Sequence, residues 1–491
     1  MNTAAMTSFA LPEEQQKKLV RLTLLWMTTM IVLFPLLASL GYFMRLYQAQ
    51  WIEGIRPEWF YAVLTLHGLG MVGTWFVGAM AAVSYLLARY VEPSLFVSRC
   101  AFGGTVIGVG LLIAATLGGL FGTGWYFLYP LPFYSQGVWP GWATGAFFGS
   151  LAVLGVAWLL WSVDLLAAIA RRYRLSHALA WHVLRGQSEP YVSPLVLIVT
   201  VSLIALVAGL VAGVIVLALF GAEWLVRGFA NDALLMKNLI FFFGHIVVNI
   251  TMYLGVAVVY EVLPGFAGRP WKTSRVVAVA WNTVLLLVIL AYFHHLYMDF
   301  AQPLALQQIG QVASYLISVP AAVVSIFGGL ALVYRAPMRW TLASALLFFG
   351  LMGWAIGGVA AVIDSTVAVN FRFHNTLWVP AHFHSYYLMG VVLMLLGFAH
   401  HLGVELAGRE ESTLLRRGLL GLLFIGGYGF LWMFYWAGAH SIPRRYAIYP
   451  TELSRGTHDA AIAVIFISLI LVAALLYLWD TGRRYLQALR A

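Results

Sequence analysis

The chain has 491 residues, 62% of them hydrophobic and only 9% charged, with a mean hydropathy of +0.88. Soluble domains carry about 25% charged residues, so a soluble fold is excluded, and the net charge of +10 bears on membrane orientation rather than on nucleic acid. The single cysteine, Cys100, excludes an internal disulfide, a covalently attached c-type haem and a thiolate metal cluster.

Apolar runs predict an all-α polytopic membrane protein with twelve transmembrane helices, at about 19–44, 59–88, 100–126, 142–170, 194–220, 236–262, 274–298, 310–334, 340–363, 377–400, 414–438 and 459–481. The breaks fall at charge and at Pro/Gly clusters such as Pro130-Leu131-Pro132 and Pro443-Arg444-Arg445. Residues 1–491 are expected to form one catalytic domain, with a short cytoplasmic segment at about 1–18 and no cleavable signal, so that the first span directs insertion. With the N-terminus inside, 20 of the 28 Lys and Arg residues fall on the inner side and eight outside. That skew predicts both termini in the cytoplasm. The long outer loops at about 122–141 and 439–458 are rich in aromatic residues and read either as a docking face or as an interfacial belt.

Thirteen histidines sort by depth. His177, His182, His400, His401, His440 and His458 fall in loops or at span ends and read as interfacial. His67 in the second span, His245 in the sixth, His294 and His295 in the seventh, and His382 and His384 in the tenth all fall in the outer third of the membrane; His374 lies just outside. Ionisable groups at one level of a bilayer mark a site, and imidazole suits haem iron, copper and non-haem iron. Successive helical residues turn by about 100°. His294 and His295 can therefore lean on one metal, with His245 as third ligand and one position open for a small molecule. His382 and His384 point to opposite sides of their helix. His384 then pairs with His67 as axial ligands of a six-coordinate, low-spin haem. His382 alone holds a five-coordinate, high-spin haem facing the three-histidine metal.

This constellation resembles subunit I of the haem–copper oxygen reductase and nitric oxide reductase superfamily, across all twelve spans. The resemblance rests on His67-Gly68, on Phe243-Gly244-His245-Ile246-Val247-Val248, on His294-His295, on His374-Asn375-Thr376-Leu377-Trp378-Val379-Pro380-Ala381-His382-Phe383-His384, and on Pro443-Arg444-Arg445. The tenth-span wording is most similar to the B-type oxidases. The resemblance implies the haem–copper oxidase subunit I fold, a low-spin b-type haem, a high-spin haem, and a copper or non-haem iron. It also implies that Arg444 and Arg445 pair with haem propionates, joined by His374, Asp364 and Arg372.

One departure bears on the substrate. B-type oxidases carry a tyrosine four residues after the sixth-span histidine; here that position is Asn249. The C-type position, in the seventh span, is Val288, and Tyr292 fits neither arrangement. Residues i and i+4 share a helix face, so Asn249 is expected beside the metal. An amide cannot donate the electron that a phenol gives to O–O cleavage. The expectation is a nitric oxide reductase that forms N2O from two NO, with a terminal oxygen reductase as the alternative. Three histidines favour copper over iron at the second metal. Protons are expected to travel past Glu261, Tyr260 and Tyr253 on the sixth span and Ser314, Tyr315 and Ser318 on the eighth, a set similar to that of the B-type oxidases. Electrons are expected from a separate cupredoxin-like or cytochrome c subunit on the outer face of a bacterial or archaeal inner membrane.

Overall fold

The computed structural model describes residues 11–490. Twelve helices long and apolar enough to cross a membrane run in order: α1 Glu13–Gln48, α2 Pro57–Leu87, α3 Leu95–Gly118, α4 Gly141–Arg172, α5 Pro194–Leu225, α6 Ala233–Ala267, α7 Arg275–Leu296, α8 Leu304–Val333, α9 Leu342–Asp364, α10 Trp378–Ala407, α11 Thr413–Ala439 and α12 Thr451–Arg490. Number and order match the sequence reading. The helix starts are written locally. Ser94, Ser193, Asp232, Ser274 and Ser412 each accept a backbone N–H in the first turn of the helix that follows, which satisfies a donor that would otherwise be orphaned. Thr341 and Ser344 form a reciprocal capping box at α9. Gly268 and Gly408 end α6 and α10 in the left-handed region, at φ of 65° and 64°.

The helices pack most extensively as the pairs α1/α2, α3/α4, α5/α6 and α11/α12, and α12 packs back on α1. α6 and α10 are central: 83% and 89% of their apolar windows are buried, against 33% for α3 and α8. These two helices, which carry His245, His382 and His384, therefore face protein on nearly every side. The outer helices instead present Phe96, Ile107, Leu286, Phe327 and Trp432 to the surroundings, as lipid contact requires.

Three departures from regular α-helix matter. α3 ends at Gly118 through a π turn over Ala114–Gly118, short of the predicted 126. The outer loop that follows folds inward, burying Phe121 and Phe127 on Phe147. It is therefore core as well as cap. α7 tightens into a 3₁₀ turn over Tyr292–Leu296. α10 loosens into a π segment over Tyr387–Val392, directly after its two histidines. Both irregularities adjoin the candidate ligands, as such turns often do.

Candidate metal and cofactor centre

All six in-span histidines, with His374, Asp364, Asn249, Arg444 and Arg445, line one cavity of about 490 Å³ toward the outer side of the bundle. The ligand atoms of His245, His294 and His295 lie within 4.8 Å of one another. The 3₁₀ turn brings Nε2 of His294 and of His295 to 3.1 Å, and the His245 ring stands 5.1 and 5.5 Å from theirs. Gly310 of α8 lets this turn seat closely: a Cβ there would fall 3.0 Å from the His294 nitrogen and 2.9 Å from Phe293 Cβ.

The hydrogen-bond partners decide which ring nitrogen is free. Ser314 Oγ donates to the Gly310 carbonyl at 2.6 Å and so accepts from His294 Nδ1 at 2.9 Å. This fixes the proton on Nδ1 and leaves Nε2 for a metal. His67 Nδ1 lies 2.8 Å from the Leu37 carbonyl, and His384 Nδ1 lies 2.7 Å from that of Pro380. Both keep Nε2 free in the same way. His382 Nδ1 meets a carboxylate instead, Asp364 Oδ2 at 2.7 Å. Asp364 was expected on the propionates; its hydrogen bond goes to the histidine.

The outer rim is basic. Arg444 Nη2 donates to Asn375 Oδ1 at 3.0 Å and its backbone N–H donates to the Asn375 carbonyl, but its buried Nε has no partner. Burial, with Arg445 beside it, pushes Arg444 down to about 9. Arg445 sits 3.8 Å over the Tyr126 ring. Burial and the cations Arg444, Lys237 and Arg445 push His374 down to about 4. Arg372 is exposed and outside the cavity wall, so it does not join this group. Two cavity-lining cations were missed from the sequence: Lys237, paired with Asp299 at 2.7 Å, and Arg45, over the Phe434 ring at 4.6 Å. The sequence signal was their outer-side position among the anomalous outside charges.

Asn249 lies one turn inward of His245. Its Nδ2 donates to the His245 carbonyl at 2.8 Å and stands 3.4 Å from both ring nitrogens, while Oδ1 accepts from the Tyr253 hydroxyl at 3.3 Å. Tyr292 turns away, to Asn238 at 3.2 Å. Val288 is fully buried. The expected proton-path residues divide. Tyr260 bonds Ser325 on α8 at 3.0 Å, and Ser318 lines the cavity. Glu261 lies on another face, accepting from Tyr90 at 2.9 Å and Ser193 at 3.2 Å. Ser314 serves His294, and Tyr315 bonds Thr366 at 2.5 Å. His400, read as interfacial, is fully buried between Glu411 at 3.1 Å and Thr481 at 3.2 Å. His182 is likewise buried.

Free Nε2 atoms, a rim of buried cations and an unpartnered Arg444 Nε fit two porphyrins with anionic edges and one further metal ion. Comparisons with known proteins bear on the family and the fold. The family model for cytochrome c and quinol oxidase polypeptide I matches residues 21–480. Cytochrome c oxidase subunit 1 of Corynebacterium diphtheriae is 27% identical over 260 residues, 52% of this chain and 44% of that protein. The protein of the same name from Synechocystis is 26% identical over 412 residues, 81% of this chain and 71% of that protein. Against most of these curated relatives the chain thus spans less than half of their length. A solved haem–copper terminal oxidase dimer shares the fold, with a TM-score of 0.77 at 19% identity, covering 97% of this chain and 85% of that one.

Proposed function

The chain belongs to the cytochrome c and quinol oxidase polypeptide I family, an oxidoreductase family of the membrane that binds haems and copper, and from that premise we propose that it is the catalytic subunit of a respiratory nitric oxide reductase. The reaction is 2 NO + 2 e⁻ + 2 H⁺ → N2O + H2O. The observation that carries it is Asn249: the side chain one turn inward of His245, against its ring, is an amide and not a phenol. Two electrons suffice for this reaction, so no amino acid need be oxidised.

In this reading His67 and His384 hold the low-spin haem, His382 holds the high-spin haem, and His245, His294 and His295 hold copper. Arg444, Arg445 and His374 receive the propionates. When bound, the haems and the second metal supply the electrons and hold the gas. The protein's part is positional. Ser314 presents the free nitrogen of His294. The Asn249 N–H lies beside the His245 ring, where it can donate to an N–O group. Tyr253 stands behind that amide as the nearest proton source on α6. Protons are assigned to the α6–α8 seam, through Ser325, Tyr260 and Ser318; Glu261, on another face of α6 with Tyr90 and Ser193, is left out of this route. Electrons are assigned to a separate subunit docking on the outer face.

Dioxygen is the second reading. The relatives' names favour it, and so does the Tyr253 hydroxyl, 3.3 Å from the Asn249 amide. Anaerobic assay of the purified protein with NO, and aerobic assay with O2 at equal reductant, separate the two. One N2O per two electrons, with NO turnover above O2 turnover, is expected. Faster O2 turnover hands the assignment to the second reading.

A further inference from the structure

The cavity treats two histidines of one helix differently. His384 offers its Nδ1 proton to a neutral backbone carbonyl, that of Pro380 at 2.7 Å. His382, two residues earlier, faces the carboxylate of Asp364 at 2.7 Å. Among the described histidines lining the cavity, it is the one with a carboxylate partner. Both side chains are enclosed, 19% and 12% exposed, and Asp364 Oδ1 is buried with no hydrogen-bond partner.

The location of this carboxylate is unfavourable on its own. Asp364 is the last residue of α9, where unsatisfied carbonyls give a helix its negative end. A buried carboxylate there needs a strong donor, and the His382 N–H supplies it at the length of a charge-assisted bond. The backbone carbonyl of Asp364 is already taken by Asn370 Nδ2 at 2.9 Å, which pins the turn that carries the carboxylate.

We propose that Asp364 is a positioning residue that draws on the Nδ1 proton of His382 and so makes this imidazole a stronger electron donor to the high-spin haem than His384 is to the low-spin haem. A carboxylate behind a metal-bound imidazole raises its basicity and fixes its tautomer, and hydrogen bonding around an axial ligand is one of the protein's levers on haem iron. The two haems thereby receive unequal ligands from a single helix. The more electron-rich one is the haem that meets the gas. The proposal rests on His382 as axial ligand and not on which gas is reduced.

The test is Asp364→Asn in the haem-loaded protein, read by resonance Raman of the reduced form and by redox titration of both haems. The iron–imidazole stretching band of the high-spin haem is expected to fall in frequency and its midpoint potential to rise. The low-spin haem stays unmoved, and turnover drops by roughly tenfold. Asp364→Glu should recover part of each shift. An unmoved band and potential in a fully loaded Asp364→Asn protein overturns the proposal, as does an equal shift in both haems. Should that variant fail to assemble, the unmodified protein decides: a band at the frequency of a carbonyl-bonded imidazole overturns it. Retention of the high-spin haem in His382→Ala would instead remove the ligand assignment itself.

Discussion

At the scale of single side chains, the site is built from choices of ring nitrogen. Each Nδ1 held by Leu37, Pro380, Ser314 or Asp364 frees an Nε2. The Ser314 contact is the simplest to remove. Ser314→Ala leaves the His294 tautomer unfixed and should weaken the second metal by about 10- to 100-fold while both haems stay bound; metal content against chelator, with optical spectra as control, measures it. The histidines themselves were legible in the sequence because membrane depth sorts them without any contact information. Their partners were not. Asp364, eighteen residues before His382, and Ser314, twenty after His294, meet them through helix packing that no local pattern encodes. His400 shows the converse error. Its place at a span end suggested solvent, but the Glu411 loop folds over it.

At the scale of helices, twelve spans were readable from hydropathy alone, because lipid demands long apolar runs with internal backbone bonding. The irregular turns were not readable, since they arise where two helices must approach more closely than regular geometry allows. The 3₁₀ turn of α7 depends on the bare backbone of Gly310. Gly310→Ala would press a methyl against the backbone at Phe293 and His294 and should cost about 1–3 kcal/mol. The expected outcome is loss of the second metal in a protein that keeps its helix content and its low-spin haem spectrum; metal analysis beside circular dichroism checks it. Unchanged metal content would show that the turn tolerates the extra carbon.

At the scale of the whole molecule, twelve crossings would put both ends of the chain on one side, and the Lys and Arg skew predicts the cytoplasm for that side. Tags at the two termini should therefore be reached by a membrane-impermeant label from the same side, and a tag near His440 from the opposite side. Labelling of one terminus from each face would break the twelve-span topology. The outer face also carries a seam. Leu377 donates to the Ile442 carbonyl, Arg444 to Asn375, and Thr376 pairs with Pro443, so the loop before α10 is stitched to the loop before α12. Those loops are over sixty residues apart in synthesis. A flat, rigid pigment slid in after the stitching would have to tear it open, whereas one captured while the last hairpin is still emerging would be locked in as the seam closes. Loading would then be expected to precede closure of the final hairpin, and a pigment once enclosed would leave slowly.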